Sequence, residues 1–271
     1  MKKTILILGI ILLAGCVLFT GCPKKHDGMT IREGVLLISM DIGYPPMEYF
    51  GPDGITPMGF DVEMGKEIAE RLGLKPEFIN TDWDGIFDGV TTDRFDVIIS
   101  SVTILPERLE KHNFSKPYIA NALAMVVLKD APVAAKTPEE LENYNVAYQR
   151  ATTSDAFMKR LVNRTGLSYN SFEYDQVIRC FDELRLKRVN VIITDALVAY
   201  DYIAAEDSPF EIVWIGSDEP DVFGICMRKG NDDLTYAINK VLEEMFYDGT
   251  MQRISYEIFG ADLVSEARLA W

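Results

Sequence analysis

From residue 35 onward, apolar positions fall into two alternating registers, short continuous runs and longer stretches with helical spacing. Val35-Leu36-Leu37-Ile38 is a run of the kind carried by a strand buried on both faces. In the stretch 61–73, Gly65, Ile68, Ala69 and Leu72 share one helical face. Asp61 stands where its carboxylate can accept from first-turn N–H groups, and Gly73 suits the left-handed C-terminal position, so a capped helix is predicted. A strand over 77–80, a short helix after Trp83 and the run Phe95-Asp96-Val97-Ile98-Ile99 follow. The order is βαβαβ, which predicts a mostly parallel sheet flanked by helices.

A second α/β unit follows residue 140: a strand over 145–148, helices over 154–164 and 175–187, and a strand over 189–194. The C-terminal stretch 232–259 reads as helical, with Leu234, Ile238, Val241, Leu242 and Met245 at core spacing. Between the units lie Ala122-Leu123-Ala124-Met125-Val126-Val127 and, far along the chain, Phe223-Gly224-Ile225-Cys226-Met227. Each can carry the chain from one unit to the other, or each can be a core strand of one continuous sheet; periodicity does not separate these readings.

The N-terminus adds a compartment. Lys2 and Lys3 precede an apolar run that ends in small residues and cysteine, with a polar segment after it, the pattern of an export signal. As a lipoprotein signal it offers Cys22 as the modified residue, directly before the polar tether 23–29, or Cys16 within Leu13-Ala14-Gly15-Cys16; an uncleaved membrane anchor is the alternative. The rest of the chain is therefore expected outside the cytoplasm, tethered to a membrane by lipid. With 42 acidic against 27 basic residues, a net charge of −15, nucleic acid is excluded as a partner. Cys180 and Cys226 are expected as buried free thiols, with a single bridge as the alternative.

Ligands of open α/β sheets sit beyond the carboxyl ends of strands, near helix N-termini. Three polar groups of residues fall there: Ser100 to Arg108 after one strand, Arg150 to Asp155 after another, and Asp195 after a third. Together they complement a zwitterion. Arg108 can hold a carboxylate bidentately, Ser101, Thr103, Thr153 and Ser154 can complete that oxyanion, and Asp195 can accept from an ammonium. Taken singly, the hydroxyls also read as helix caps and Arg108 as a surface ion-pair member. Tyr44 and Trp83, in loops after the first unit's strands, can wall a side chain whose polar end Asp41 reads, or can be core. Two histidines, His26 and His112, cannot build a triad or a histidine-rich metal site, and there is no phosphate loop, zinc spacing or nucleophile elbow. No catalytic residue, metal or cofactor is expected.

Several segments then occur in a specific order: Asp41-Ile42-Gly43-Tyr44-Pro45-Pro46-Met47-Glu48-Tyr49, Gly59-Phe60-Asp61-Val62-Glu63, Trp83-Asp84-Gly85, Phe95-Asp96-Val97-Ile98, Thr103-Ile104-Leu105-Pro106-Glu107-Arg108 and Asn113-Phe114-Ser115-Lys116-Pro117-Tyr118. On these the chain, over 33–260, resembles the bacterial periplasmic amino-acid-binding proteins of polar amino-acid importers of the ATP-binding-cassette (ABC) type. The resemblance implies a two-lobed Venus-flytrap fold with lobe I over 30–121 and 228–271, lobe II over 128–222, and hinge strands over 122–127 and 223–227. It makes Arg108 the carboxylate clamp beside Ser101 and Thr103, Thr153 and Ser154 the lobe II contacts, Asp195 the ammonium acceptor, and Asp41, Tyr44 and Trp83 the side-chain pocket, with Tyr148 or Gln149 as a further neighbour. It implies a monomer that hands a free L-amino acid, basic or polar, to a membrane permease. The same resemblance reaches cyclohexadienyl dehydratases, which act through a carboxylate in the cleft, and a ligand-sensing module is a third reading. Ala151-Thr152-Thr153 stands where such proteins usually carry Gly-Thr-Thr, and Val189-Asn190 replaces a commoner Ile-Asp or Val-Asp.

Overall fold

The computed structural model describes residues 28–216 and 221–271; the expected signal, Cys16, Cys22 and all of the tether before Gly28 lie outside the described residues. In chain order the first half holds β1 (Val35–Met40), β2 (Tyr49–Phe50), β3 (Pro57–Met58), α1 (Phe60–Arg71), β4 (Lys75–Asn80), α2 (Trp83–Thr91), β5 (Val97–Ile98), α3 (Pro106–Leu109), β6 (His112–Phe114) and β7 (Ile119–Asn121). Then come β8 (Leu123–Leu128), β9 (Asn145–Gln149), α4 (Thr153–Thr165), β10 (Asn170–Tyr174), α5 (Val177–Arg185), β11 (Val191–Asp195), α6 (Ala196–Ile203) and β12 (Phe210–Ile215). The chain returns through β13 (Asp221–Phe223) and β14 (Cys226–Arg228) to α7 (Asp232–Tyr247) and α8 (Thr250–Phe259).

Two five-stranded sheets result, ordered β4-β1-β5-β14-β6 and β10-β9-β11-β8-β12. In the first, β1 runs parallel to β4 and β5 while β14 is antiparallel to β5 and β6; in the second, β9 is parallel to β10 and β11 while β8 is antiparallel to β11 and β12. Each lobe is thus a parallel core closed by antiparallel strands. Helices cover both faces, which explains the continuous apolar runs. Along β8, Ala124, Val126 and Leu128 enter one core while Leu123, Met125 and Val127 enter the core on the other face.

That packing moves the crossing points. The run 122–127 lies mostly in β8, inside the second sheet, and 223–227 runs mostly into β14, inside the first. The chain passes between the sheets one step earlier, in a two-stranded antiparallel ribbon of β7 and β13 that pairs Asn121 with Asp221 and Ile119 with Phe223. A strand buried on both faces belongs to a sheet, not to a ribbon between sheets.

Two local expectations are corrected. Asp61 does not cap α1, because Gly59 holds the cap position and Asp61 is turned inward; its Oδ2 accepts from the backbone N–H of Ser101 at 2.7 Å and from the Tyr118 hydroxyl at 3.0 Å. The helix expected over 232–259 breaks at Gly249, whose φ of 83° is left-handed, and restarts as α8. The break is locked from outside: Asp248 accepts from Thr250 N–H and pairs with Arg71 of α1. Cys180 and Cys226 are buried and unpaired, and no helix among the described residues is long and apolar enough to cross a membrane.

Candidate functional site

A cavity lies between the two lobes, lined by Asp41, Tyr44, Glu48, Trp83, Ser100, Ser101, Thr103, Arg108, Gln149, Thr152, Thr153 and Asp195. Its position follows from the topology. Asp41 comes directly after β1, Ser100 just after β5, Gln149 ends β9 and Asp195 ends β11, so four carboxyl ends of parallel strands, two from each lobe, converge on one space. The 13-residue helix α4 begins at Thr153, putting first-turn N–H groups beside the same space.

The lobes are closed on one another. Tyr44 of the first lobe donates its hydroxyl to Asp195 Oδ2 of the second at 2.5 Å, Gln149 Nε2 donates to Asp41 Oδ2 at 2.8 Å, and Trp83 Nε1 donates to the Ala151 carbonyl at 2.9 Å. At the mouth, Arg150 pairs with Asp84 across the cleft at 2.6 Å and with Asp175 on its own lobe at 2.7 Å. Arg150 and Asp84 are each about half-exposed and Asp175 more so, so the pair across the cleft contributes on the order of 1 kcal/mol or less to closure.

Arg108 follows β5 by way of the short helix α3. Its guanidinium donates to the Thr103 carbonyl at 3.0 Å and lies 5.5 Å from the centroid of Trp83 and 5.0 Å from that of Phe87. It forms no ion pair among the described residues. Burial lowers its pKa, yet a guanidinium stays charged at any physiological pH. A half-buried cation set against two rings and lacking a counter-ion is prepared for an anion from outside. Ser101, at φ 49°, is held in that unusual left-handed backbone by the bond to Asp61, and its buried hydroxyl has no protein partner.

The opposite charge is in surplus. Asp195 is 5% exposed, and its Oδ1 has no partner although Oδ2 is taken by Tyr44. Burial first, then the charge of Asp221, raises it to about 6. Asp41 is raised to about 6 as well, chiefly by burial, against the lowering effect of the Gln149 amide. At neutral pH both are mostly ionised, and a cation in the cleft would hold them in that form.

Eight of the nine expected contacts therefore line one cavity: Asp41, Tyr44, Trp83, Ser101, Thr103, Arg108, Thr153 and Asp195. Ser154 is buried in the first turn of α4 but does not line it; Thr152, one position before the helix, does. A first-turn residue two positions along points away from its neighbour's face, a distinction hydroxyl content cannot make. Of the pair Tyr148 or Gln149, Gln149 lines the cavity, while Tyr148 is core and bonds Tyr169 and Ser171. Glu48 and Ser100 were missed. Asp41 N–H donates to Ser100 Oγ at 3.0 Å, and that hydroxyl donates to Glu48 Oε1 at 2.6 Å. The available signal was an acid inside the apolar run Met47-Glu48-Tyr49-Phe50, which a solvated loop would not need.

Ala151, where a glycine is usual in similar proteins, has φ 58°. The left-handed turn survives without glycine because Asp155 Oδ2 accepts its N–H at 2.9 Å and Trp83 donates to its carbonyl, which together offset a cost of about 1–2 kcal/mol.

Two lobes closing on a cavity that holds a half-buried cation without an ion-pair partner and, opposite it, an acid with a vacant oxygen define a solute-binding protein of the Venus-flytrap type. The family model described as bacterial extracellular solute-binding proteins, family 3, matches residues 36–261, and the chain belongs to that family. Among its relatives, the L-cystine-binding protein TcyJ of Escherichia coli is 29% identical over 257 residues, covering 95% of this chain and 94% of that protein. A probable amino-acid ABC transporter-binding protein of Haemophilus influenzae is 31% identical over 269 residues, 97% and 99% of the two chains. Among solved structures, an ancestral arginine-binding protein bound to arginine superposes with a TM-score of 0.78 at 33% identity, covering 83% of this chain and 98% of that one. Proteins of this family work outside the cytoplasm.

Proposed function

We propose that the chain binds one free L-amino acid with a polar or basic side chain in the interlobe cleft and delivers it, as a monomer, to the permease of an ABC importer. The observation that carries this reading is the pairing, on one cavity, of an Arg108 guanidinium without a counter-ion and an Asp195 carboxylate with a vacant oxygen. Arg108 with Ser101, Thr103 and the start of α4 takes the α-carboxylate, and Asp195 takes the α-ammonium. Trp83 and Tyr44 wall the side chain, whose end meets Asp41, Gln149 and Glu48. The names of the relatives, which bind cystine and arginine, support an amino acid carrying more than one polar end. The ribbon of β7 and β13 serves as the hinge between a first lobe over 30–121 and 228–271 and a second over 128–222, and the ligand favours closure by bonding both lobes at once. The cleft does no covalent chemistry, so prephenate or arogenate is left unchanged.

A thermal-shift panel of the amino acids tests the reading. The right ligand at about 100 times its Kd stabilises the fold by about 2.7 kcal/mol, and the panel is expected to single out basic or polar members. Asp41→Asn should weaken a basic ligand at least tenfold more than a neutral one, about 1.4 kcal/mol, because the neutral ligand has no charge partner to lose. Equal weakening of both removes charge as the selecting property. Outside the cytoplasm, in the periplasm or on the cell surface, the chain is held to a membrane by lipid on Cys22, or on Cys16, and the mass of the mature N-terminus checks this: an unmodified cysteine at both positions refutes the anchor.

A further inference from the structure

Glu48 and Asp61 are closed to solvent, at 1% and 0% exposure. Glu48 ends the loop that returns from Tyr44, and Asp61 sits in the first turn of α1. Each carboxyl has one oxygen supplied with a donor and one without. Ser100 donates to Glu48 Oε1, while Ser101 N–H and Tyr118 donate to Asp61 Oδ2; Glu48 Oε2 and Asp61 Oδ1 have no donor. The two acids are neighbours, since Asp61 N–H donates to the carbonyl of Met47, the residue before Glu48, and the adjacent Ser100 and Ser101 donate to one carboxyl each; neither acid forms an ion pair among the described residues.

The other titratable groups facing them do not relieve the charge. Asp41 comes from the end of β1, Asp195 from the end of β11, Tyr44 from the intervening loop and Tyr118 from the segment before β7. Arg108 lines the same cavity, but its guanidinium is bonded to Thr103 and lies against the rings of Trp83 and Phe87. Two ionised carboxylates cannot share a dry site without a cation; one keeps its proton and donates to the other.

We propose that Glu48 and Asp61 hold one proton between them in the ligand-free protein, and that a cationic ligand side chain entering the cleft displaces it. The reaction balances without a co-reactant: the O–H bond of the shared proton breaks, the proton passes to bulk water, and the ligand's positive charge replaces it as the partner of Glu48. Burial and then the Asp61 charge raise Glu48 well above the carboxylate range, and burial raises Asp61 to about 7, both in the direction that retains a proton at neutral pH. A neutral ligand leaves the proton in place and meets Glu48 as an uncharged acid. The cleft can in this way accept basic and neutral polar side chains without leaving an unpaired charge in either case. Asp61 touches no ligand and acts as a positioning residue, by sharing the proton of Glu48.

The proposal rests on the reading of the cleft as an amino-acid site, and its test separates the two. Infrared spectra of the ligand-free protein at about pH 8, where an ordinary carboxyl is ionised, are expected to show a protonated-carboxyl band that Glu48→Gln removes. Absence of that band in the wild type overturns the shared proton whatever the protein binds. Calorimetry in two buffers of different ionisation heat then counts protons: about one released per L-arginine bound, none per L-glutamine, and none with L-arginine in Glu48→Gln. Because the bound form carries fewer protons, L-arginine affinity should rise up to about tenfold per pH unit as pH increases toward the titration of the pair, and L-glutamine affinity should stay flat. Equal proton counts for the two amino acids overturn displacement. Should Glu48→Gln fail to fold, Asp61→Asn, which keeps an acceptor for Ser101 and Tyr118, takes its place in both measurements. A folded wild type that binds neither amino acid refutes the reading of the cleft, and the infrared band still decides the shared proton.

Discussion

Arg108→Ala and Asp195→Ala should each weaken the best amino acid by roughly 30-fold to several-thousand-fold, about 2–5 kcal/mol, without unfolding the protein. The size comes from what is left behind. Arg108 lies against Trp83 and Phe87 in a site the ligand completes, and removing it leaves the ligand carboxylate buried with only hydroxyls and helix N–H groups. Removing Asp195 leaves the ammonium facing the Tyr44 hydroxyl, which has itself lost its acceptor. A half-exposed ion pair such as Arg150 with Asp84 would cost about 0–1 kcal/mol, so the two ranges do not overlap. Calorimetry on each variant, with circular dichroism to verify the fold, reads the difference. A folded variant within threefold of wild-type affinity would show that the residue in question does not hold the ligand.

Gly59→Ala should act first on stability, lowering it by about 3 kcal/mol or more. Gly59 has φ 120° and ψ 177°, a region open to glycine alone, and a Cβ built there would stand 2.3 Å from the Met47 carbonyl oxygen and 2.7 Å from that of Pro46. Neither backbone can retreat, because Phe60 N–H donates to Pro46 O and Asp61 N–H to Met47 O. Those two bonds fasten the loop carrying Tyr44 and Glu48 to the start of α1. For a chain of this size the loss corresponds to a fall of about 6–12 °C in Tm, measured by calorimetry on the ligand-free protein. A fall of less than 2 °C would mean that the loop moves aside to admit the methyl group. Gly73, also at positive φ but with nothing within 4 Å of its added Cβ, is the control, expected to lose only about 1 kcal/mol.

Both predictions concern residues visible in the sequence, yet they became specific at different levels. The βαβαβ order, the doubly buried strands and the polar residues just past their ends were legible, because strand and helix periods are local and a parallel sheet sends its strand ends to one edge. Arg108, Asp195 and Asp41 could be chosen on that ground alone. The break at Gly249 was not legible: the apolar spacing runs unchanged through it, and what fixes the break is Arg71, nearly 180 residues away in the chain, gripping Asp248. The crossing ribbon at β7 and β13 was misplaced by a few residues for a similar reason, since an apolar strand reads alike whether it pairs inside a sheet or between two.

By itself the sequence determined that this chain forms two α/β units and that a cation, several hydroxyls and an acid gather beyond their strands, since these are properties of neighbouring residues along one segment. Only the tertiary structure decided which of those groups share a cavity, that Thr152 and not Ser154 lines it, and that Asp61 leaves the cap of its own helix to meet Ser101 and Tyr118 beside Glu48. Residues 48, 61, 101 and 118 have no local relation to one another, and the protonation of two carboxyls depends on the water excluded and the charges brought near them when the lobes fold, which no single segment carries.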